Sequence, residues 1–185
     1  MDFKKNTFKT KFCMYTPIEL SDSKSIVDIR TGRDDSALKK IKFSIADQNL
    51  YYKSYYEKFV KNQEIYYKIS LVNDKTPLGL IRITELNEEY RFNYHSLIFK
   101  VITPPFMPID SIFSMYELGF DFYHKEVCGP WPVPKIAKKV YQLHKKMGIA
   151  TEIMSNKENY FFVVTKDKFN ARKGYFKKLG FGLSL

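Results

Sequence analysis

Apolar residues follow two rhythms along the chain. Alternation or short apolar runs mark strands at Phe12 to Tyr15, Ile65 to Val72, Gly79 to Thr84 and Tyr90 to Ile102. Three more follow at Val127 to Gly129, Thr151 to Met154 and Asn159 to Thr165. A three-to-four-residue rhythm marks helices. Ile45 to Val60 carries Leu50, Tyr52, Tyr55, Tyr56, Phe59 and Val60, a spacing that reads as an amphipathic helix. Lys135 to Met147 carries Ile136, Val140, Leu143 and Met147, with lysines opposite and Gly148 as its stop. Shorter helices are predicted from a Ser21 or Asp22 cap to Arg30, from Ile109 to about Tyr123, and from about Asn170 to Leu179.

Breakers separate these elements. Gly32 and Asp34-Asp35-Ser36 interrupt the chain after the first helix, and Asn73 to Pro77 and Glu85 to Glu89 read as turns. Thr103 to Pro108 holds three prolines and reads as irregular, with Pro108 suited to the first turn of the helix after it. Pro130 to Pro134 reads as a stiff connection. Strands that switch to alternating helices and strands predict a mixed α/β (α+β) chain, one domain over residues 1–185.

Composition narrows the possibilities. With 31 basic and 20 acidic side chains, the formal charge of +11 favours anionic ligands: nucleic acid, an anionic membrane, coenzyme A or a nucleotide-linked sugar. Lysine is spread along the chain, as on a solvated surface. No apolar run is long enough for a membrane span, and the first fifteen residues lack the apolar block of a signal peptide. Cys13 and Cys128 are far apart and read as reduced thiols, and zinc-site spacings are absent, so a cytoplasmic protein without a metal is expected.

Several strings, in order, resemble the GNAT N-acyltransferases, in the branch that modifies ribosomal proteins and nucleotide-linked amino sugars. They are IVDIRTGRDDSALKKIKFSIADQNLYYKSY, PLGLIRITELNEE, VYQLHKKMGI and YFFVVTKDKF, spread over residues 12 to 169. The resemblance implies one domain with a mostly antiparallel sheet, a splayed parallel strand pair and flanking helices. It also implies acyl transfer from acetyl-CoA or a longer acyl-CoA, a hydroxyacyl donor included, in a ternary complex. The acceptor implied is a dTDP- or UDP-linked amino-deoxyhexose for surface polysaccharide; nucleic acid and membrane insertion are not expected, and the protein is a monomer or homodimer. A protein N-terminal or side-chain acetyltransferase is the enzyme alternative. A degenerate GNAT fold that binds nucleic acid or another ligand is the second.

The same resemblance points to residues. It places an oxyanion-binding amide near Leu97, Ile98 and Phe99, with Val101 and Phe106 beside the donor. His95 on that strand is a candidate base or substrate anchor. His144 falls where the family has its thiolate-protonating tyrosine, Tyr141 sits one turn earlier, and Glu85 lies where relatives place a carboxylate. Arg30, Arg33, Tyr51, Tyr52 and Trp131 are candidate acceptor contacts, and the late helix's lysines could meet the 3′-phosphate of coenzyme A. The family's glycine-rich pyrophosphate loop is replaced by VITPPFMPIDS, which leaves the helix-terminal amides of Ile109, Asp110 and Ser111 as the expected donors.

Overall fold

A computed structural model describes residues 7–31 and 44–183 of the chain. Strands β1 (Phe8–Lys9) and β2 (Cys13–Pro17) lead through a short 3-10 turn (Leu20–Asp22) into α1 (Ser23–Thr31). After α2 (Ile45–Val60) come β3 (Glu64–Leu71), β4 (Asp74–Thr84) and β5 (Arg91–Phe99). Helix α3 (Phe106–Glu117) runs on into a π-helical turn (Leu118–Phe122), followed by β6 (Val127–Pro134) and α4 (Lys138–Met147). Strands β7 (Thr151–Ser155) and β8 (Asn159–Thr165) and helix α5 (Lys166–Lys178) complete the described chain.

The strands form one eight-stranded sheet in the order β1-β2-β3-β4-β5-β6-β8-β7. All neighbours are antiparallel except β5 and β6, which run parallel and pair only at Arg91–Val127 and Phe92–Cys128. Side-chain alternation assigns the two faces. Tyr66, Leu80 and Ile98 pack under α1 and α2 with Ile26, Ile29 and Tyr55. Ile65, Tyr67, Ile81, Ile83, Phe92 and Tyr94 face the other layer, with Phe113, Met147 and Phe169 from α3, α4 and α5. The sheet is therefore covered on both faces, and β4 is buried through Leu80, Ile81 and Ile83 rather than on alternate residues alone. Gly119 lets the Phe92 ring lie against the helical layer, since a Cβ there would meet ring atoms at 2.1 Å.

Helix α2 and strand β8 have the boundaries that the pattern predicts. Ser44 caps α2 by accepting from the Asp47 amide, and Asp47 accepts in return from the Ser44 amide at 2.9 Å, a reciprocal box that fixes the start. Other boundaries differ. The β3–β4 turn is only Val72-Asn73, so Asp74 to Leu78 extends the strand. Helix α3 begins at Phe106, three residues early, because Pro108 then sits in the first turn, where a missing N–H costs nothing. Helix α5 begins at Lys166, where the Thr165 side chain caps it. Helix α4 begins only at Lys138, and its buried face holds His144 and Met147, leaving Ile136 and Val140 exposed.

The largest difference is β6, which runs straight through Pro130, Pro132 and Pro134. The Lys135 amide donates to the Glu158 carbonyl at 2.8 Å, so odd-numbered residues here turn their amides toward β8. The proline nitrogens therefore face the gap beside β5, where no strand would accept their hydrogen bonds.

Candidate active site

The gap between β5 and β6 begins just past Phe92 and Cys128. Asn93 sets its apex: its side-chain amide donates to the Pro130 carbonyl at 3.2 Å, and its side-chain carbonyl accepts from the Tyr94 amide at 3.0 Å. One carboxamide thus replaces the missing rung of the ladder. Beyond it, β5 is bulged: Arg82 pairs with His95 and Leu80 with Ile98, and Ser96 has a φ of 54°. The Lys100 amide donates to the Leu78 carbonyl at 2.8 Å, so the Leu97 and Phe99 amides point away from β4 and into the gap.

A charged cluster lies on the α1/α2 face of the sheet at this bulge. Arg82 donates to the Tyr51 hydroxyl at 2.9 Å and lies 3.4 Å from Glu64 Oε1, and the Tyr51 hydroxyl donates to the same oxygen at 3.0 Å. His95, half-buried, stands opposite Arg82. Burial, and then the Arg82 charge, holds its pKa below the usual histidine value, so it is neutral at pH 7. Arg30 reaches the Tyr66 hydroxyl at 3.4 Å on the same face. Among the described residues, Arg82 Nε and Thr84 Oγ1 are buried without a hydrogen-bond partner on this side, as are Trp131 Nε1 and His144 Nδ1 on the other.

The remaining sequence-derived candidates are placed as follows. Glu85 follows β4 with a φ of 60° and pairs with Arg91 at 3.2 Å, which makes it a turn residue. Tyr52 lies apart from Arg82, lining a separate groove of about 600 Å³ with Pro17, Glu19, Tyr56 and Phe59. Trp131 is buried against Tyr94, His144 and Phe162 instead of walling an open pocket. The Tyr141 hydroxyl donates to Glu152 at 3.1 Å and its ring packs at a tilt against Tyr160, one strand beyond the gap. Arg33 lies outside the described residues.

The donor-loop expectation needs correction. Because α3 starts at Phe106, the amides of Ile109, Asp110 and Ser111 are inside the helix ladder. The Asp110 side chain is fully buried, accepting from Thr10 at 2.7 Å, Tyr15 at 3.0 Å and the Gly182 amide at 3.1 Å. Val101 is 80% exposed, and Phe106 packs on Phe12. Sequence reasoning missed Glu64, Arg82 and Asn93, which look like ordinary polar positions of alternating strands; only the long-range pairing of the strands gathers them.

His144 is 2% exposed, its Nε2 is 3.4 Å from the Tyr94 hydroxyl, and burial pushes its pKa down to about 4. The folded protein therefore keeps it neutral, whereas the unfolded chain protonates it near pH 6.5. Its contribution to stability is complete above pH 6.5 and is lost as the pH falls toward 4, by about 3 kcal/mol over that range. His144→Leu is expected to flatten this part of the stability curve; denaturant melts of both proteins between pH 7.5 and 4 check it, and parallel curves would contradict it.

No family model matches the chain, and no curated protein matches it in sequence. Solved structures do. FdhC, a nucleotide-linked sugar GNAT in its apo form, superposes with a TM-score of 0.85 at 22% identity, over 95% of this chain and 99% of that one. The chain has the GNAT fold. Other GNAT structures agree: the spermidine N-acetyltransferase from Vibrio cholerae, solved with CoA and spermine, has a TM-score of 0.68 at 13% identity, over 85% and 98% of the two chains. A GNAT acetyltransferase from Bacillus anthracis has a TM-score of 0.68 at 12% identity, over 88% and 99%. No helix among the described residues is long and apolar enough to cross a membrane.

Proposed function

We propose that the protein is an N-acyltransferase that moves an acyl group from a pantetheine thioester, in the first instance acyl-CoA, to the amino group of a nucleotide-linked sugar. The observation that carries this reading is the gap between β5 and β6, with free-facing amides on its edge and a neutral histidine beside a charged cluster at its side. A pantetheine arm supplies carbonyl and amide groups, which the Leu97 and Phe99 amides suit. When bound, the thioester supplies an activated acyl carbon. The fit is poorer at the phosphate end, where the start of α3 has no glycine and three prolines.

In this reading His95 takes a proton from the acceptor amine as the nitrogen attacks. The Leu97 and Phe99 amides hold the carbonyl oxygen and the charge it gathers. The C–N bond forms, the C–S bond breaks, and the proton removed by His95 balances the departing thiolate. His144, held neutral, hydrogen-bonds rather than protonates. Arg82 and Tyr51, with Arg30 on the same face, would position the acceptor, arginine suiting its phosphates. The likeness to FdhC, described as a nucleotide-linked sugar GNAT, supports that acceptor class over a peptide.

Thermal melts with acyl-CoAs and with dTDP- and UDP-linked amino sugars test this. A ligand of the folded state raises the midpoint with concentration. A shift with an acyl thioester and a further shift with an amino-sugar nucleotide are expected; no shift with any thioester would overturn the reading.

A further inference from the structure

The two ends of the gap differ in chemistry. Because β5 and β6 run parallel, their C-terminal ends open at the same edge of the sheet, where the 100–105 loop faces the 135–137 turn. This mouth presents Val101, Ile102 and Ile136 at 80%, 78% and 61% exposure. Lys138 and Lys139 are exposed beside Ile136, and Lys100 adjoins Val101. No aspartate or glutamate occurs from Phe99 to Ile109 or from Val127 to Ala150, and Asp110, next after Ile109, is buried. Glu158, whose carbonyl accepts from the Lys135 amide, adjoins this turn, and the exposed Asp74 opens the neighbouring β4 at the same edge of the sheet.

Free coenzyme A brings a pyrophosphate, a compact anion that a helix start normally holds with several amides. Here Pro104, Pro105 and Pro108 have no N–H to give, and the Met107 amide is already bonded to the Pro104 carbonyl at 3.1 Å. A pantetheine arm carried on a protein brings a single phosphodiester instead, with its negative charge spread over surface carboxylates. An exposed apolar centre with a lysine rim matches such a partner. We propose that the acyl group arrives on the pantetheine arm of an acidic acyl carrier protein docked at this mouth. This rests on the transfer reading above and replaces only the carrier of the thioester. In the step, the acceptor amine forms the amide bond and the thioester C–S bond breaks. The thiol returns to the carrier protein with the proton that His95 removed.

The test compares three donors with the same acyl group, acetyl or butyryl: loaded acyl carrier protein, acyl-CoA and acyl-pantetheine. Binding is read by fluorescence anisotropy or calorimetry, and turnover by thiol release with an amino-sugar nucleotide. Loaded carrier protein is expected to bind, and to turn over, roughly tenfold or more better than acyl-CoA at low salt, an advantage that shrinks with added salt. The double variant Lys138→Glu/Lys139→Glu is expected to lower the ratio of carrier-supported to acyl-pantetheine-supported rates about tenfold. Acyl-CoA equal to or better than the carrier protein, or an unchanged ratio in the double variant, overturns this inference and leaves the transferase reading intact. Failure of all three thioesters to bind overturns both.

Discussion

His95→Gln is expected to lower kcat for amine acylation by about 100- to 1,000-fold while leaving the melting temperature within a few degrees of the parent. A positioned base contributes on this scale, and glutamine keeps the size and a hydrogen-bonding tip without the basicity. The side chain is half-buried at a bulge, so little packing is lost. The pH profile gives an independent check. Burial and Arg82 both disfavour the imidazolium, so His95 stays a base to a lower pH than a free imidazole would. Activity should therefore fall as the pH drops through an apparent pKa below 6.5, and Arg82→Met should move that limb upward. Single-turnover and steady-state rates across pH 5 to 9 measure both. A His95→Gln enzyme keeping more than a tenth of the parent kcat would remove His95 from the chemistry.

Asp110→Ala should cost stability heavily and donor binding little. The carboxylate accepts from Thr10, Tyr15 and the Gly182 amide, and it ties β2's flank and the chain's last described turn to α3. Burial holds its pKa above the usual carboxylate value even though these donors oppose the rise. Truncation leaves the donors buried without an acceptor, at about 1–3 kcal/mol for each left unsatisfied. A net loss of about 3 kcal/mol corresponds to a midpoint lower by roughly 6–12 °C for a chain of this size. If Asp110 instead lay against the donor's phosphates, removing its charge would tighten thioester binding with little change in melting. Melts and thioester titrations on the same variant separate the two.

These two residues also show how far the sequence could be read. The strand-and-helix order, the long α2 and the final β8 follow from local signals: periodicity, the Ser44 cap and clear turn residues. His95 was legible because a histidine on a resembling strand is chemically conspicuous. Asp110 is harder to place, because three prolines argue against regular structure over 103–108, whereas a helix start tolerates Pro105 and Pro108. The same bias hid β6, since proline in a strand is allowed only where the neighbouring strand has splayed away, which is a tertiary fact. Glu64 and Arg82 were hidden differently. Each is one polar position in an alternating strand, and it is the Tyr51 hydroxyl, brought in by α2, that joins them into a site.

The fold explains why such a site forms here. A parallel pair in an otherwise antiparallel sheet is held for only two residue pairs, then released by the Asn93 wedge and the prolines. The released edges carry backbone groups that no strand satisfies, and side chains from both helical layers converge on them. Most direct as a test of acyl transfer to a nucleotide-linked amino sugar is mass spectrometry of the reaction products. The protein would be incubated with an acyl thioester and a panel of dTDP- and UDP-linked amino sugars, with an amine-bearing peptide in parallel. One sugar nucleotide heavier by the acyl group, amide-linked, is expected, with one free thiol released per product and none formed by His95→Gln. Acylated peptide with unmodified sugar nucleotides, or no acylated amine from any donor, would contradict it.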